Sequence, residues 1–109
     1  MKNRVLAAET SAEVGKNITV AGWVHSRRDH GGLIFIDLRD HTGLVQLVIN
    51  PEQAEAFRLA ESLRDEFVIR ASGVVTERGE GLKNPNIASG NVEIVVENLE
   101  ILNRAETLP

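Results

Sequence analysis

Leu33-Ile34-Phe35-Ile36-Asp37-Leu38-Arg39 sits between two turn segments, Asp29-His30-Gly31-Gly32 before it and Asp40-His41-Thr42-Gly43 after it. In an extended chain, successive side chains point to opposite faces. Ile34, Ile36 and Leu38 therefore share one clean apolar face, and Leu33, Phe35, Asp37 and Arg39 share a mixed opposite face. The segment reads as a strand joined to its neighbours by two hairpins. Upstream, Asn17 to Arg28 alternates in the same way, with Ile18, Val20, Gly22 and Val24 against Thr19, Ala21, Trp23 and His25. Downstream, residues 44–49 make a third strand, with Val45, Leu47 and Ile49 opposite Leu44, Gln46 and Val48.

The period then changes. Pro51 suits a first helical turn, and Glu52 and Glu55 suit the positive end of a helix dipole. Ala54, Phe57, Ala60 or Glu61, and Leu63 predict a short amphipathic helix from Pro51 to about Asp65. A fourth strand is expected from about Phe67 to Glu77, with Gly73 as a bulge or bend. Arg78 to Gly90 is rich in Gly, Asn and Pro and reads as a long loop, and residues 91–103 as the last strand. The expected fold is all-β: a five-stranded Greek-key OB-fold barrel with one α-helix between strands 3 and 4. SH3-like barrels and split αβ sandwiches compete on topology alone. Residues 1–104 are assigned to this domain and 105–109 to the start of a linker.

Composition narrows the function. One domain fits the length of 109 residues, and 42% hydrophobic with 26% charged residues is a globular balance. No apolar run nears the roughly 20 residues that span a bilayer, and no signal-peptide core opens the chain, so a cytoplasmic address is expected. The absence of cysteine removes disulfides, thiolate metal sites and cysteine nucleophiles. Three scattered histidines suggest no metal site. The net charge of −4, taken alone, argues against a nucleic-acid partner, because phosphate binding leaves a basic footprint. Its distribution is uneven, however: residues 1–50 carry six Lys/Arg and five Asp/Glu, and residues 51–109 carry six and eleven.

Phe35 carries the most information. Ile34 and Ile36 already supply the core face, so its ring points outward among Asp37 and Arg39. Either another element covers that face, or the ring is a platform for an unpaired base, where stacking is worth about 1–3 kcal/mol. Gln46, inside an apolar run, is either a solvated strand position or a carboxamide whose donor and acceptor match a pyrimidine edge. The expectation is an aromatic ring and a carboxamide side by side on one exposed surface. Arg27 and Arg28 end the first strand at its rim and suit phosphate or stacking contacts, or are simply solvated. Arg78, Lys83, Asn84 and Asn86 are loop residues able to clamp a nucleotide backbone, or merely mobile ones. Glu93 is either a surface glutamate or an acceptor for guanine donors. Trp23, Phe57 and Phe67 read as packing, and Asp37, Arg39 and Asp40 as an ion-pair network holding the second hairpin. No catalytic constellation stands out.

Gly22 to Asp40 as a block, with Gly43-Leu44-Val45-Gln46, Glu66-Phe67-Val68, Asn84-Pro85-Asn86, Ala88-Ser89-Gly90 and Leu102 to Pro109, resembles the N-terminal region of bacterial-type aspartyl-tRNA synthetases. The resemblance spans essentially the whole chain. It implies an OB-fold anticodon-binding domain. Phe35 would stack on the central uracil of the anticodon, Gln46 would read the same base, and Arg28, with Arg27 beside it, would sit at the strand end. Arg78, Asn84 and Glu93 would meet the outer bases. Ser26 departs from many relatives, which carry a third consecutive arginine there, and Val48 from some, which carry an aromatic; both departures would weaken auxiliary contacts and leave the site in place. The resemblance also implies a longer enzyme. Its class II catalytic domain, absent here, uses ATP and magnesium to attach aspartate to tRNA(Asp), and it dimerises mainly through that part. The chain reads as an excised domain, monomeric, with no cofactor of its own.

Among such relatives, a histidine before the Gly-Gly turn and a glycine in the long loop, His30 and Gly81 here, accompany enzymes that charge both tRNA(Asp) and tRNA(Asn). The two anticodons differ at the third base, cytosine against uracil. An imidazole can donate or accept, which suits either base; otherwise His30 is only a turn residue. A general single-strand-binding barrel and a protein-interaction barrel using the acidic helix face are the competing functions.

Overall fold

A computed structural model describes residues 4–79 and 90–103. Five strands, β1 (Asn17–His30), β2 (Leu33–Asp40), β3 (Gly43–Ile49), β4 (Val68–Glu77) and β5 (Val92–Asn103), close into a barrel of order β1-β2-β3-β5-β4. All neighbours are antiparallel except β3 and β5, which run parallel. The helix α1 (Ala54–Glu61) lies between β3 and β4 in sequence. This is the five-stranded OB-fold expected from the hairpin pattern and the placement of the helix.

The alternation read from the sequence becomes the inside and outside of the barrel. Ile18, Val20, Val24, Ile34, Ile36, Leu38, Val45, Leu47 and Ile49 are buried in the core, joined by Ile69, Ala71, Val75, Val92, Ile94 and Val96. Phe67 is buried and Phe57 packs against the core, as expected of them. Closure gives each of the five strands two neighbours, so none of them presents an open sheet edge along its length.

Some boundaries differ. β1 continues through Asp29 and His30, so these two residues pair with Ile34 and Leu33 instead of turning. The turn contracts to Gly31-Gly32, both with positive φ, 60° and 83°. That conformation matches the twist of a two-residue hairpin and is open to glycine. The helix is shorter than the 51–65 expected, because Pro51 to Gln53 form a turn and bend.

One element has no counterpart in the sequence reading, a 3-10 helix over Ala7–Ala12. Its Ala7 and Thr10 are buried against the barrel. The Asp40 carboxylate accepts the Ala7 N–H at 2.8 Å, and the Thr42 hydroxyl accepts the Ala8 N–H at 3.0 Å. Asp40 also accepts the N–H and hydroxyl of Thr42. The expected ion-pair network of Asp37, Arg39 and Asp40 is therefore replaced. Asp40 is turned to the N-terminal segment, Asp37 reaches across to β1 and Arg39 is exposed.

Burial of Asp40 would raise its carboxyl pKa, but the bonds from Thr42 and Ala7 outweigh it and hold the group below its ordinary value. A folded-state pKa below the unfolded one contributes stability above the unfolded value, near pH 4, and loses it as pH falls through the folded value. Asp40→Asn is expected to cost about 1–3 kcal/mol at pH 7, read by urea unfolding. The variant should also show a shallower loss of stability below about pH 4. An unchanged acid limb would show that Asp40 is not the group responsible.

Candidate nucleic-acid interface

Strand register lays the outward side chains in rows across β1, β2, β3 and β5. Arg28 pairs with Phe35 and Phe35 with Val48, which pairs with Val95. The adjacent row runs Ser26, Asp37, Gln46, Glu93. A β-bulge between Val24 and Ser26 brings Ser26 into that row.

The second row is a continuous polar chain. The Arg28 guanidinium donates to Asp37 Oδ2 at 2.9 Å and to Gln46 Oε1 at 3.0 Å. Gln46 Nε2 donates to Glu93 Oε1 at 3.0 Å, and the Ser26 hydroxyl donates to Asp37 Oδ2 at 2.9 Å. Above it opens a cleft of about 600 Å³ lined by Arg28, Asp29, His30, Phe35, Gln46, Arg78 and Glu93. Its size lies in the range of ligand-binding clefts. Arg78 enters the cleft from the end of β4, where its Nε donates to the Val92 carbonyl.

Gln46 differs from the expectation. It is 9% exposed and does not project freely into water. It still faces outward, because the core side of β3 is Val45, Leu47 and Ile49, and the residues covering it are Arg28 and Glu93. Phe35 is partly buried, and its ring lines the cleft.

Arg27 stands apart. Its Nη1 donates to the carbonyls of Ala60 and Glu61 at 3.2 and 2.7 Å, at the C-terminal end of α1. Its Nε and Nη2 hold the Asp29 carboxylate, both at 3.0 Å. That bond raises the Arg27 pKa and lowers that of Asp29. Arg27 thus brings a positive charge and a donor to the last carbonyls of the helix, of which that of Ala60 also accepts the Leu63 N–H, and ties the β1–β2 hairpin to α1. It does not line the cleft, contrary to the expectation that placed it beside Arg28 at the rim. Arg27→Gln is accordingly expected to leave the slope of log affinity against log salt for an RNA loop unchanged. A phosphate contact at Arg27 would instead cut that slope by about 0.7–0.9. Titrations between 50 and 200 mM salt, the range in which such contacts are felt, decide between the two.

His30 lines the cleft, while Asn84, Gly81, Lys83 and Asn86 lie outside the described residues, as does the expected linker at 105–109. Asp37 and Ser26 also belong to this site, beyond the residues expected there. For Asp37 the sequence carries a signal: it shares the face of Phe35, and the 40–43 hairpin sets it opposite Gln46. Among the described residues no group of three or more His, Asp or Glu side chains is placed to hold a metal ion. No helix among them is long and apolar enough to cross a membrane.

Comparison with known proteins fits this geometry. The chain is 53% identical over 100 residues to "Aspartate--tRNA(Asp/Asn) ligase" of Moorella thermoacetica, a match covering 92% of this chain and 17% of that protein. Asparaginyl-tRNA synthetase from Pyrococcus horikoshii, solved with asparaginyl-adenylate, superposes with a TM-score of 0.81 at 29% identity, over 100% of this chain and 24% of the other. Aspartyl tRNA synthetase from Entamoeba histolytica shares the fold, with a TM-score of 0.83 at 20% identity over 98% and 22% of the two chains. The chain thus spans a quarter or less of each of these relatives. Residues 18–102 match the tRNA anti-codon family, an OB-fold nucleic acid binding domain. Because that match runs from the first core residue of β1 to the end of β5, the chain belongs to this family of OB-fold nucleic acid binding domains.

Proposed function

We propose that this barrel binds the anticodon loop of a transfer RNA, tRNA(Asp) in the first place, as the recognition module of an aspartate–tRNA ligase. The observation that carries the reading is the meeting of Phe35, Gln46, Arg28 and Glu93 in one open cleft on the outer face of the barrel. A base needs a flat apolar surface to stack on and a polar group beside its edge, and a loop's backbone needs a cation. Phe35 supplies the first, Gln46 the second and Arg28 with Arg78 the third. Asn84 and Gly81 are carried in the proposal by resemblance.

Attachment of aspartate, with ATP and magnesium, belongs in this reading to a class II catalytic domain of a longer, cytoplasmic and dimeric enzyme. No step of that reaction is assigned to residues of this chain. Charging of tRNA(Asn) as well is favoured by His30 in the cleft, whose ring can donate to or accept from the base that distinguishes the two anticodons. The Moorella relative, named for both tRNA(Asp) and tRNA(Asn), points the same way.

Titration of this chain with anticodon stem-loops tests the proposal. Affinity should depend on the central uracil. A sequence-tolerant response would favour a general single-strand binder, and no binding at all a protein-interaction barrel.

A further inference from the structure

Gln46 can be held in only one orientation by its neighbours. Arginine has donors and no acceptor, and an ionised glutamate has acceptors and no donor. With Arg28 on one side and Glu93 on the other, the carbonyl Oε1 must face Arg28 and the amide Nε2 must face Glu93. The reversed amide would set N–H against guanidinium and carbonyl against carboxylate. Arg28 is itself fixed by Asp37, which also accepts from Ser26, so the lock runs across four strands, β1, β2, β3 and β5. Near-complete burial of Gln46 strengthens it, since water has little room to substitute for either partner.

Each end of the amide keeps capacity for one more bond, a lone pair on Oε1 and a hydrogen on Nε2. Gln46 lines the cleft, so these are what a base edge would meet. The order is set by the strands, acceptor toward β2 and donor toward β5. Uracil carries its N3–H between two carbonyls, so either orientation of the ring offers a donor and an acceptor in that order. Cytosine in the same seat sets its N3 lone pair against Oε1, and it matches the locked amide only by sliding one ring atom along its edge, so that its amino group meets Oε1 and N3 meets Nε2.

We infer that Arg28 and Glu93 are specificity-determining residues that make the cleft prefer uracil to cytosine, by locking the Gln46 carboxamide in one orientation. The inference rests on the proposed reading of Gln46 as the residue that meets a base. Arg28 and Glu93 act here as positioning residues, whatever else each touches.

The test measures the affinity ratio of two RNA stem-loops that differ only at the central loop base, uracil or cytosine. A ratio cancels contacts that Arg28 or Glu93 make elsewhere on the RNA. The unaltered chain should prefer uracil by about tenfold or more, the discrimination of one good paired contact. Gln46→Ala should bring the ratio close to one. Arg28→Gln combined with Glu93→Gln leaves groups that both donate and accept on each side, frees the amide to reverse, and should cut the ratio to about threefold or less. Arg28→Lys, which keeps a donor-only neighbour, should retain most of the preference. If Gln46→Ala keeps the full ratio, Gln46 does not read the base, and the underlying reading falls together with the inference. If Gln46→Ala abolishes the preference while the double variant keeps it, the reading stands and the lock is overturned. Fluorescence of Trp23, the single tryptophan, reports in every variant that the barrel is folded.

Discussion

Gly73→Ala is expected to destabilise the barrel by about 3 kcal/mol or more, at the upper end of what overpacking costs. Gly73 lies in β4 between Ile18 of β1 and Val96 of β5, where the β4–β5 register shifts. A Cβ there would stand 2.0 Å from the Val95 carbonyl oxygen, 2.8 Å from its carbon and 2.9 Å from the Val96 Cα. All three obstacles are main chain. No rotamer change relieves them, so relief requires β4 and β5 to separate where they pair. Domains of this kind are stable by about 5–15 kcal/mol, so the loss is a large part of the whole. The denaturant midpoint should fall steeply with little change in slope. Ser72→Ala, one residue away and on the outer face, should stay within about 0.5 kcal/mol of the unaltered chain, as most surface substitutions do. A Gly73→Ala midpoint matching that of Ser72→Ala would mean the two backbones can move apart at little cost.

Phe35→Ala is expected to weaken binding of an anticodon stem-loop by about 1–3 kcal/mol, the worth of one base stacked on an aromatic ring. The fold should survive. Phe35 faces away from the core, whose β2 contribution is Ile34, Ile36 and Leu38. Its loss opens no internal cavity, unlike truncation of a core side chain. Phe35→Leu separates the two properties of the ring: it keeps apolar cover for the cleft and removes the π face, and should bind nearly as poorly as the alanine variant. Isothermal titration gives the affinities and thermal melting checks the fold. Binding unchanged in both variants would remove the stacking platform from the proposed function. Collapse of the fold in both would make Phe35 a structural residue.

The two residues illustrate different kinds of legibility. Phe35 announced itself through alternation, because Ile34 and Ile36 had already claimed the inward side. The sequence shows Gly73 as a bend, but the Val95 carbonyl that would stand 2.0 Å from a Cβ there belongs to β5, more than twenty residues further along the chain. Gln46 fell between them. Alternation along β3 shows its face but not its burial, because the covering groups arrive from β1 and β5. Arg27 and Arg28 are adjacent and chemically identical, and nothing local separates them. Successive residues on a strand point to opposite sides, so one reaches α1 and the other the cleft.

Local alternation, the two tight turns and the change of period after Pro51 determined the strands, the helix between the third and fourth of them, and the inward and outward faces. These follow from the sequence because each depends on residues a few positions apart. The polar row from Ser26 to Glu93, the clamp of Asp40 on the 3-10 helix and the different duties of Arg27 and Arg28 were decided by tertiary structure alone. They join residues up to dozens of positions apart, and their partners are chosen by strand register and barrel closure, which only the assembled sheet fixes.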